Sequence, residues 1–255
     1  MKIGLSVPTS KFDEALAAGA DYIEINVQEI LRMDESAYAD FKGKATAHKG
    51  FVYAANCLFP FTDVRLTGVD TDEQAIRAYC EKTFSILAEL GVKMVVFGSG
   101  GAKRVPEGFA YERAWEQLEW LSTLLGEYAE KYDQTVVIEP LRTQECNIVL
   151  SVREACDLAD VANSCRVAGL VDYFHFCQNG HDLEKDLVPY VSKLRHVHIA
   201  SPVERTAPRA DDGFDYKSFM DVLRQGGYDG ALTFEGKLGQ DAGDMDTLVA
   251  YLRSL

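Results

Sequence analysis

The stretch from Val92 to Pro140 shows how this chain is built. It opens with the apolar run Val-Lys-Met-Val-Val-Phe-Gly (92–98) and closes with Thr-Val-Val-Ile-Glu-Pro (135–140). Between them, the segment 109–132 carries large apolar residues at helical spacing, namely Trp115, Leu118, Leu121, Leu125 and Tyr128. A strand, an amphipathic helix and a second strand in this order predict a parallel β-α-β unit with a right-handed crossover.

The same unit repeats from one end of the chain to the other. We predict strands at 2–6, 21–26, 50–56, 92–98, 135–139, 166–172, 194–199 and 231–235, and helices at 10–18, 27–42, 71–90, 109–132, 150–160, 182–191, 215–226 and 242–254. No linker or block of charge interrupts the pattern, so we expect a single α/β domain, residues 1–255, folded as a (β/α)8 TIM barrel. The alternative is a doubly wound open sheet, which normally has a glycine-rich phosphate turn after its first strand. The corresponding turn here is Ser6-Val7-Pro8-Thr9, which favours the barrel.

The composition excludes several classes of protein. A chain of 255 residues with 47% hydrophobic residues can bury a large core and is not disordered. Its 40 acidic and 26 basic residues give a formal charge of −14. Nucleic acids and anionic membranes require clustered Lys and Arg, so we expect neither as a partner. The charge is compatible with an enzyme of small neutral substrates.

Cysteine usage and hydropathy point to the cytoplasm. The six cysteines form no CxxC pair and are interpreted as free thiols in a reducing compartment; they are Cys57, Cys80, Cys146, Cys156, Cys165 and Cys177. No apolar run approaches the roughly 20 residues that span a bilayer. The first residues, Met1 to Ser6, are typical of a strand rather than of a signal peptide.

Four polar residues stand at the ends of the last four predicted strands. Because the carboxyl ends of parallel barrel strands form one rim and neighbouring strands lie about 4.8 Å apart, these side chains are expected to converge. They are Glu139, Asp172, His198 and Glu235. Three carboxylates with about three negative charges would repel one another in a partly dry pocket, and a divalent cation would relieve the repulsion.

The donor set limits the kind of ion. Three oxygens and one nitrogen suit manganese, magnesium, cobalt or zinc, and the absence of a thiolate disfavours a structural zinc. The alternative is that each residue caps a loop or pairs with a nearby base. For four residues on successive strands we favour the metal site, and we expect Mn²⁺ as its ion.

Several short motifs resemble a known family. They are Ile138-Glu139-Pro140-Leu141 with Glu145, Asp172 with His175, His196-Val197-His198, and Gly227-Tyr228-Asp229-Gly230 leading into Glu235. With these motifs the sequence resembles the xylose-isomerase-like barrel superfamily of sugar isomerases and epimerases. The branch it resembles most holds the ketose 3-epimerases (tagatose and psicose epimerases) and hydroxypyruvate isomerase.

The resemblance implies a role for each matching residue. Glu139, Asp172, His198 and Glu235 match the family's metal ligands, and Glu139 and Glu235 also match its acid/base pair. Glu145 and His175 match residues that hold substrate oxygens. Arg205 matches an arginine that grips a substrate hydroxyl, although it lies one residue further from the ligand histidine than the family's spacing. The resemblance also implies association into homodimers or homotetramers.

The implied reaction moves a proton on the carbon next to a carbonyl, through a cis-enediolate. Two bases on opposite faces would epimerise a ketose, and one base returning the proton to the adjacent carbon would interconvert aldose and ketose. A metal-dependent polyol dehydratase, similar to inosose dehydratase, is the alternative on the same barrel. A DNA-repair endonuclease is disfavoured by five histidines and the acidic charge, and a non-catalytic sugar-binding barrel by the two glutamates.

Three further features leave alternatives open. Glu24, at the end of the second strand, contacts substrate or supports a loop. His196 points to the same side as His198 but deeper, where packing in the barrel is favoured over ligation. The stretch Gly98-Ser99-Gly100-Gly101, followed by Lys103, is either a cradle for an anion or an ordinary loop.

Overall fold

Eight parallel strands close into a barrel in the order in which they occur in the chain. A computed structural model describes residues 1–60, 64–238 and 245–255. The strands are β1 (Lys2–Ser6), β2 (Tyr22–Asn26), β3 (Val52–Asn56), β4 (Met94–Phe97), β5 (Thr135–Ile138), β6 (Val167–Asp172), β7 (Leu194–Ile199) and β8 (Ala231–Phe234). The predicted (β/α)8 barrel is confirmed, because β8 pairs with β1 and leaves no free edge.

Helices surround the barrel. They are α1 (Phe12–Ala17), α2 (Val27–Leu31), α3 (Glu35–Ala47), α4 (Glu73–Glu89), α5 (Gly100–Lys103), α6 (Tyr111–Lys131), α7 (Val152–Val161), α8 (Tyr173–Gln178), α9 (Tyr216–Gln225) and α10 (Met245–Ser254). The short α5 and α8 follow β4 and β6 directly and were not predicted. Positions 242–244 of the last predicted helix lie outside the described residues.

Two predicted helices were wrong in detail. The segment 27–42 forms α2 and α3 rather than one helix, because Asp34 turns the chain and its carboxylate accepts the N–H of Ala37 at 2.9 Å as an N-cap. The segment 182–191 forms a π-helical turn (Leu183–Leu187) and a 3-10 helix (Val188–Lys193). Pro189 has no N–H to donate, which disfavours a continuous α-helix there.

Among the described residues, an apolar cluster packs inside the barrel. It comprises Tyr22, Ala54, Met94, Val96, Val137, Ala168, Leu170 and Ala231. Gly4 makes room for the largest of them, since a Cβ at this position would lie 2.2 Å from the Tyr22 ring. A larger core lies between the strands and the helices. We therefore expect a ligand to bind at an end of the barrel.

Within the described residues, no helix is both long enough and apolar enough to cross a membrane.

Candidate metal and substrate site

The four side chains that the sequence singled out meet at the carboxyl end of the barrel. Glu139 follows β5, Asp172 ends β6, His198 lies in β7 and Glu235 follows β8. The strand register brings two of them together, because Asp172 of β6 is paired with His198 of β7. One potential ligand atom of each residue lies within 4.8 Å of the others. We call these four residues the mouth cluster.

The neighbours of the His198 imidazole indicate whether the mouth cluster suits a cation. Its Nε2 lies 3.2 Å from Oε2 of Glu24 and donates there. Its Nδ1 then faces two carboxylate oxygens, Glu139 Oε1 at 3.0 Å and Glu235 Oε2 at 3.1 Å. Neutral Nδ1 and two carboxylates are all acceptors, so only a proton or a metal ion can make this arrangement favourable. The donor set therefore fits a divalent cation.

The ionisation of the mouth cluster reflects the same crowding. Burial and the nearby charge of Glu235 raise the pKa of Glu139. Burial opposes the charged form of His198, but Glu24 and Glu235 outweigh it and raise the pKa of the imidazole well above its usual range. Burial also opposes ionisation of Glu235, yet Arg205 and His198 hold its pKa below the usual range. Two adjacent carboxyl groups thus differ in their affinity for a proton.

Asp172 divides its two oxygens between structure and site. Its Oδ1 caps α8, accepting the N–H of Phe174 at 2.7 Å and that of His175 at 3.4 Å. Its Oδ2 faces the cluster and accepts a hydrogen bond from Arg205 at 3.2 Å. The cap fixes the orientation of the carboxylate, so that its Oδ2 points toward the mouth cluster.

Arg205 reaches the site in spite of its longer spacing from His198. Its guanidinium bonds to the carboxylates of Asp172 and Glu235 and lies 5.1 Å from the centre of the Phe174 ring. The backbone of Glu204 and Arg205 is left-handed, with φ of 61° and 56°. A Cβ at Gly236 would lie 2.5 Å from the Arg205 carbonyl oxygen, so glycine is needed where the two loops meet.

Glu145 and His175 lie beside the cluster. The Glu145 carboxylate accepts a hydrogen bond from Arg142 Nε at 2.7 Å. His175 is buried, and its Nδ1 accepts the N–H of Arg142 at 3.2 Å. Its Nε2–H therefore is a donor, and it has no hydrogen-bond partner among the described residues. A buried donor without a partner in the wall of a pocket suits a ligand oxygen.

Glu24 is fully buried and organises a network one layer below the mouth cluster. Its Oε2 accepts hydrogen bonds from His196 at 2.9 Å and from Thr233 at 3.2 Å, besides that from His198. Burial favours the neutral acid, but His198 and His196 outweigh it and lower the pKa of Glu24 to about 2. We call Glu24, His196, Thr233 and Tyr22, whose hydroxyl lies 2.7 Å from that of Thr233, the floor network. His196 is buried and bonds to Glu24, as expected for a packed histidine, but Glu24, His196 and His198 also form a second group whose ligand atoms lie close enough to hold a metal ion.

Asn56, at the end of β3, links the two layers. Its Nδ2 lies 2.9 Å from Glu24 Oε1 and 3.1 Å from Glu235 Oε1. The sequence offered no role for this residue. Its position at a strand end was the available signal, because such positions line the mouth of a barrel.

The glycine-rich stretch after β4 forms the wall behind Glu139. A Cβ at Gly98 would lie 2.1 Å from Glu139 Oε2, and one at Gly100 would lie 2.9 Å from the Glu145 carbonyl oxygen. Lys103 is fully buried and donates to the Glu139 carbonyl oxygen at 2.9 Å. Its ammonium group is therefore engaged, which argues against an anion cradle at this stretch.

The cluster opens into a cleft with two lobes. The inner lobe, about 350 Å³, is lined by Glu139, Glu145 and His175. The outer lobe, about 800 Å³, is lined by Pro8 and Lys237 among others. The two lobes share the lining residues Asn26, Gln28, Arg32, Asn56, Cys57, Arg205 and Glu235, so they adjoin.

Comparisons with known proteins agree with this architecture. The apo form of 3-keto-D-glucoside 4-epimerase from E. coli superposes with a TM-score of 0.83 at 20% identity, over all of both chains. D-psicose 3-epimerase, crystallised in the presence of D-fructose, gives 0.79 at 17% identity over 100% of this chain and 99% of that one. At such identities the likeness shows the fold.

A curated relative adds a sequence match. It is a Streptomyces coelicolor protein provisionally assigned as a hydroxypyruvate isomerase, 29% identical over 124 residues. The match covers 46% of this chain and 44% of that protein, which is less than half of its length. The model of a family described as xylose isomerase-like TIM barrel matches residues 12–255. The chain therefore belongs to the xylose isomerase-like TIM barrel family.

Proposed function

We propose that the protein is a divalent-metal-dependent isomerase or epimerase that moves a proton on the carbon next to a carbonyl of a sugar or a small hydroxy-carbonyl compound. The observation that carries this proposal is the pair of carboxylates, Glu139 and Glu235, set 3.0 Å and 3.1 Å from the same imidazole nitrogen of His198. The names of the epimerases and of the isomerase that the chain resembles support the same class of reaction.

Glu139, Asp172, His198 and Glu235 are the residues that would hold the ion. When bound, such an ion acts as a Lewis acid that polarises the carbonyl and lowers the energy of the charge that develops on its oxygen. Oxygen-rich sites accept several ions, and Mn²⁺ is the ion we propose, with Mg²⁺, Co²⁺ and Zn²⁺ as the other candidates.

The two glutamates are suited to opposite ends of a proton transfer. Both carboxylates lie within 3.1 Å of the same imidazole nitrogen, so one could remove the C–H proton as a base while the other returns a proton as an acid. Return to the same carbon from the opposite face epimerises it, and return to the neighbouring carbon isomerises the substrate.

The remaining polar residues of the inner lobe would orient the substrate. The unpartnered Nε2–H of His175 can donate to a substrate hydroxyl. Glu145, held by Arg142, can accept from another hydroxyl. Arg205 offers a charged donor beside the reacting carbons. Such positioning contributes to rate because it places the C–H bond near the base before reaction.

The test is proton exchange in heavy water. Protein loaded with Mn²⁺ is incubated with D-fructose, D-tagatose, D-psicose or hydroxypyruvate, and the products are followed by NMR and mass spectrometry. We expect deuterium at the carbon next to the carbonyl and a new stereoisomer or positional isomer, both abolished by a chelator. Loss of one water from a polyol or ketose would instead identify a dehydratase. Absence of both exchange and water loss across a broad panel of sugars would contradict the proposal.

A further inference from the structure

The cleft is larger than the reacting part of a monosaccharide requires. Pockets for small ligands measure roughly 300–1,000 Å³. The inner lobe of about 350 Å³, which holds Glu139 and His175, is already in this range. The adjoining outer lobe adds about 800 Å³ and shares Glu235 and Arg205 with the inner lobe. A substrate that fills both lobes extends beyond the carbons that react.

Two basic side chains are placed at the outer lobe by the fold. Lys237 follows Glu235 by two residues, and both line the outer lobe. Its backbone is held by a hydrogen bond from its N–H to the Arg205 carbonyl oxygen at 2.7 Å. Arg32 lies four residues after Gln28 at the end of α2, on the same helix face. Gln28 in turn is anchored to the carbonyl oxygen of Cys57 at 2.9 Å.

The positive charge at this end of the cleft is not neutralised within the described residues. Neither Arg32 nor Lys237 forms an ion pair with an acidic side chain of residues 1–60, 64–238 or 245–255. The acidic side chains nearby are engaged. Glu29 accepts hydrogen bonds from the N–H of Thr9 at 3.0 Å and from its hydroxyl at 2.5 Å, and Glu235 is paired with Arg205. Glu29 also lines the outer lobe and keeps its charge, so the described lining holds three basic and two acidic side chains.

A neutral extension of the substrate, such as a second sugar ring, fits this lobe less well. Sugar rings are commonly held against the flat apolar faces of aromatic side chains. The described lining of the outer lobe includes no Phe, Tyr or Trp. Charge, rather than stacking, is what the lobe offers for recognition.

We propose that the substrate carries an anionic group, a carboxylate or a phosphate, at the end remote from the reacting carbons, and that Arg32 and Lys237 bind this group in the outer lobe. This inference rests on the proposed function, which places the reacting carbons in the inner lobe. Arg32 supplies a planar fork that matches two oxygens of such a group, and Lys237 supplies a point charge. Both side chains are exposed, so their attraction is expected to weaken as salt is added.

The experiment compares anionic and neutral ligands of the same metal-loaded protein. D-fructose 6-phosphate and D-fructuronate separate phosphate from carboxylate, and D-fructose is the neutral reference. Binding is measured by calorimetry and turnover by deuterium exchange. The variants are Arg32→Gln, Lys237→Gln and the double variant. Lys49→Gln is the matched control, because Lys49 is exposed and precedes β3 at the opposite end of the barrel.

We expect at least one of the two anions to bind more tightly than D-fructose. Each single variant should weaken this binding by about tenfold and D-fructose binding by less, while the Lys49→Gln control changes neither. Anion binding that depends on Arg32 and Lys237 without any proton exchange would support the inference and contradict the proposed function. Preference for D-fructose, or anion binding unaffected by the double variant, would overturn the inference and leave the proposed function intact.

Discussion

The mouth cluster and the floor network contain the same types of side chain but serve different purposes. Each combines carboxylate and imidazole, and each lies in the barrel within hydrogen-bonding reach of His198. In the floor network, the oxygens of Glu24 already accept hydrogen bonds from two histidines, a threonine and Asn56. In the mouth cluster, Glu139 and Glu235 face each other across one nitrogen. The oxygens of Glu24 are satisfied by protein donors. Among the described residues, the side chain of Glu139 bonds to His198 alone, whereas Glu235 also bonds to Arg205 and Asn56.

His198 joins the two regions. Its Nε2 donates to Glu24 below, and its Nδ1 faces the mouth cluster above. A carboxylate on the far nitrogen fixes the tautomer and the ring orientation of a metal-binding histidine. The floor network is therefore expected to tune the mouth cluster without touching the ion or the substrate.

The largest effect is expected from the mouth carboxylates. Glu139→Gln and Glu235→Gln each remove a proton-transfer group and should lower the deuterium exchange rate by about a thousandfold. The unfolding temperature of the metal-free Glu139→Gln protein should change little, because the substitution removes both the repulsion from Glu235 and a carboxylate contact of His198. Exchange kinetics and thermal unfolding are the measurements, with the exposed Glu184→Gln as control. Wild-type rates in either variant would refute the catalytic assignment.

Replacing one glycine in each region by alanine should affect the mouth cluster and the floor network differently. Gly98→Ala would bring a Cβ within 2.1 Å of Glu139 Oε2, and Gly4→Ala would bring one within 2.2 Å of the Tyr22 ring. Displacing Glu139 should lower turnover by about a hundredfold with little loss of stability. Overpacking Tyr22 should reduce the free energy of unfolding by about 1–3 kcal/mol. Equal stability losses in both variants would show that the mouth is as rigid as the floor.

Glu24→Gln tests the floor network itself. Removing the charge leaves two buried imidazole donors without their carboxylate, which should cost about 3 kcal/mol of unfolding free energy. Without this partner for His198, the affinity for Mn²⁺ should fall by about 10–100-fold. Denaturant unfolding and metal titration measure the two effects. A variant as stable as the wild type would show that the floor network does not stabilise the fold.

The same variant should change the dependence of stability on pH. Because the pKa of Glu24 is lowered to about 2, its contribution is present above the ordinary glutamate pKa and is lost as pH falls toward that value. Glu24→Gln should therefore flatten the acid side of the stability profile. An unchanged acid limb would indicate that Glu24 has an ordinary pKa.

The smallest effect is the release of protons on metal binding. In the metal-free protein, His198 and Glu139 have raised pKa values, so the proton they retain must leave before an ion binds. Because the pKa of His198 is raised well above that of a free imidazole, apparent Mn²⁺ affinity should keep rising with pH through and beyond neutrality, and metal binding near neutrality should release a proton. Calorimetry in buffers of different ionisation enthalpy counts this proton. No release and a flat affinity would place the ion elsewhere.

Much of the site could be predicted because it depends on strand ends. Glu139, Asp172 and Glu235 are acids at the carboxyl ends of apolar runs, and the barrel topology brings those ends together whatever the loops do. The break between α2 and α3 was missed because a cap residue at Asp34 competes with an otherwise helical pattern. The burial of Lys103 was missed because a lysine in a glycine-rich stretch is ordinarily solvated.

The sequence by itself determined the repeated strand and helix pattern, the closed barrel and the residue types at its rim, because these follow from local periodicity and from connection handedness. Only the tertiary structure decided which acid serves which purpose. Glu24 and His196 are 172 positions apart, and their pairing depends on strand register and on depth in the barrel. Position along a strand gives depth within that strand but not the register between strands that are distant in sequence, and the free energy of a buried carboxylate depends on the number of donors that surround it.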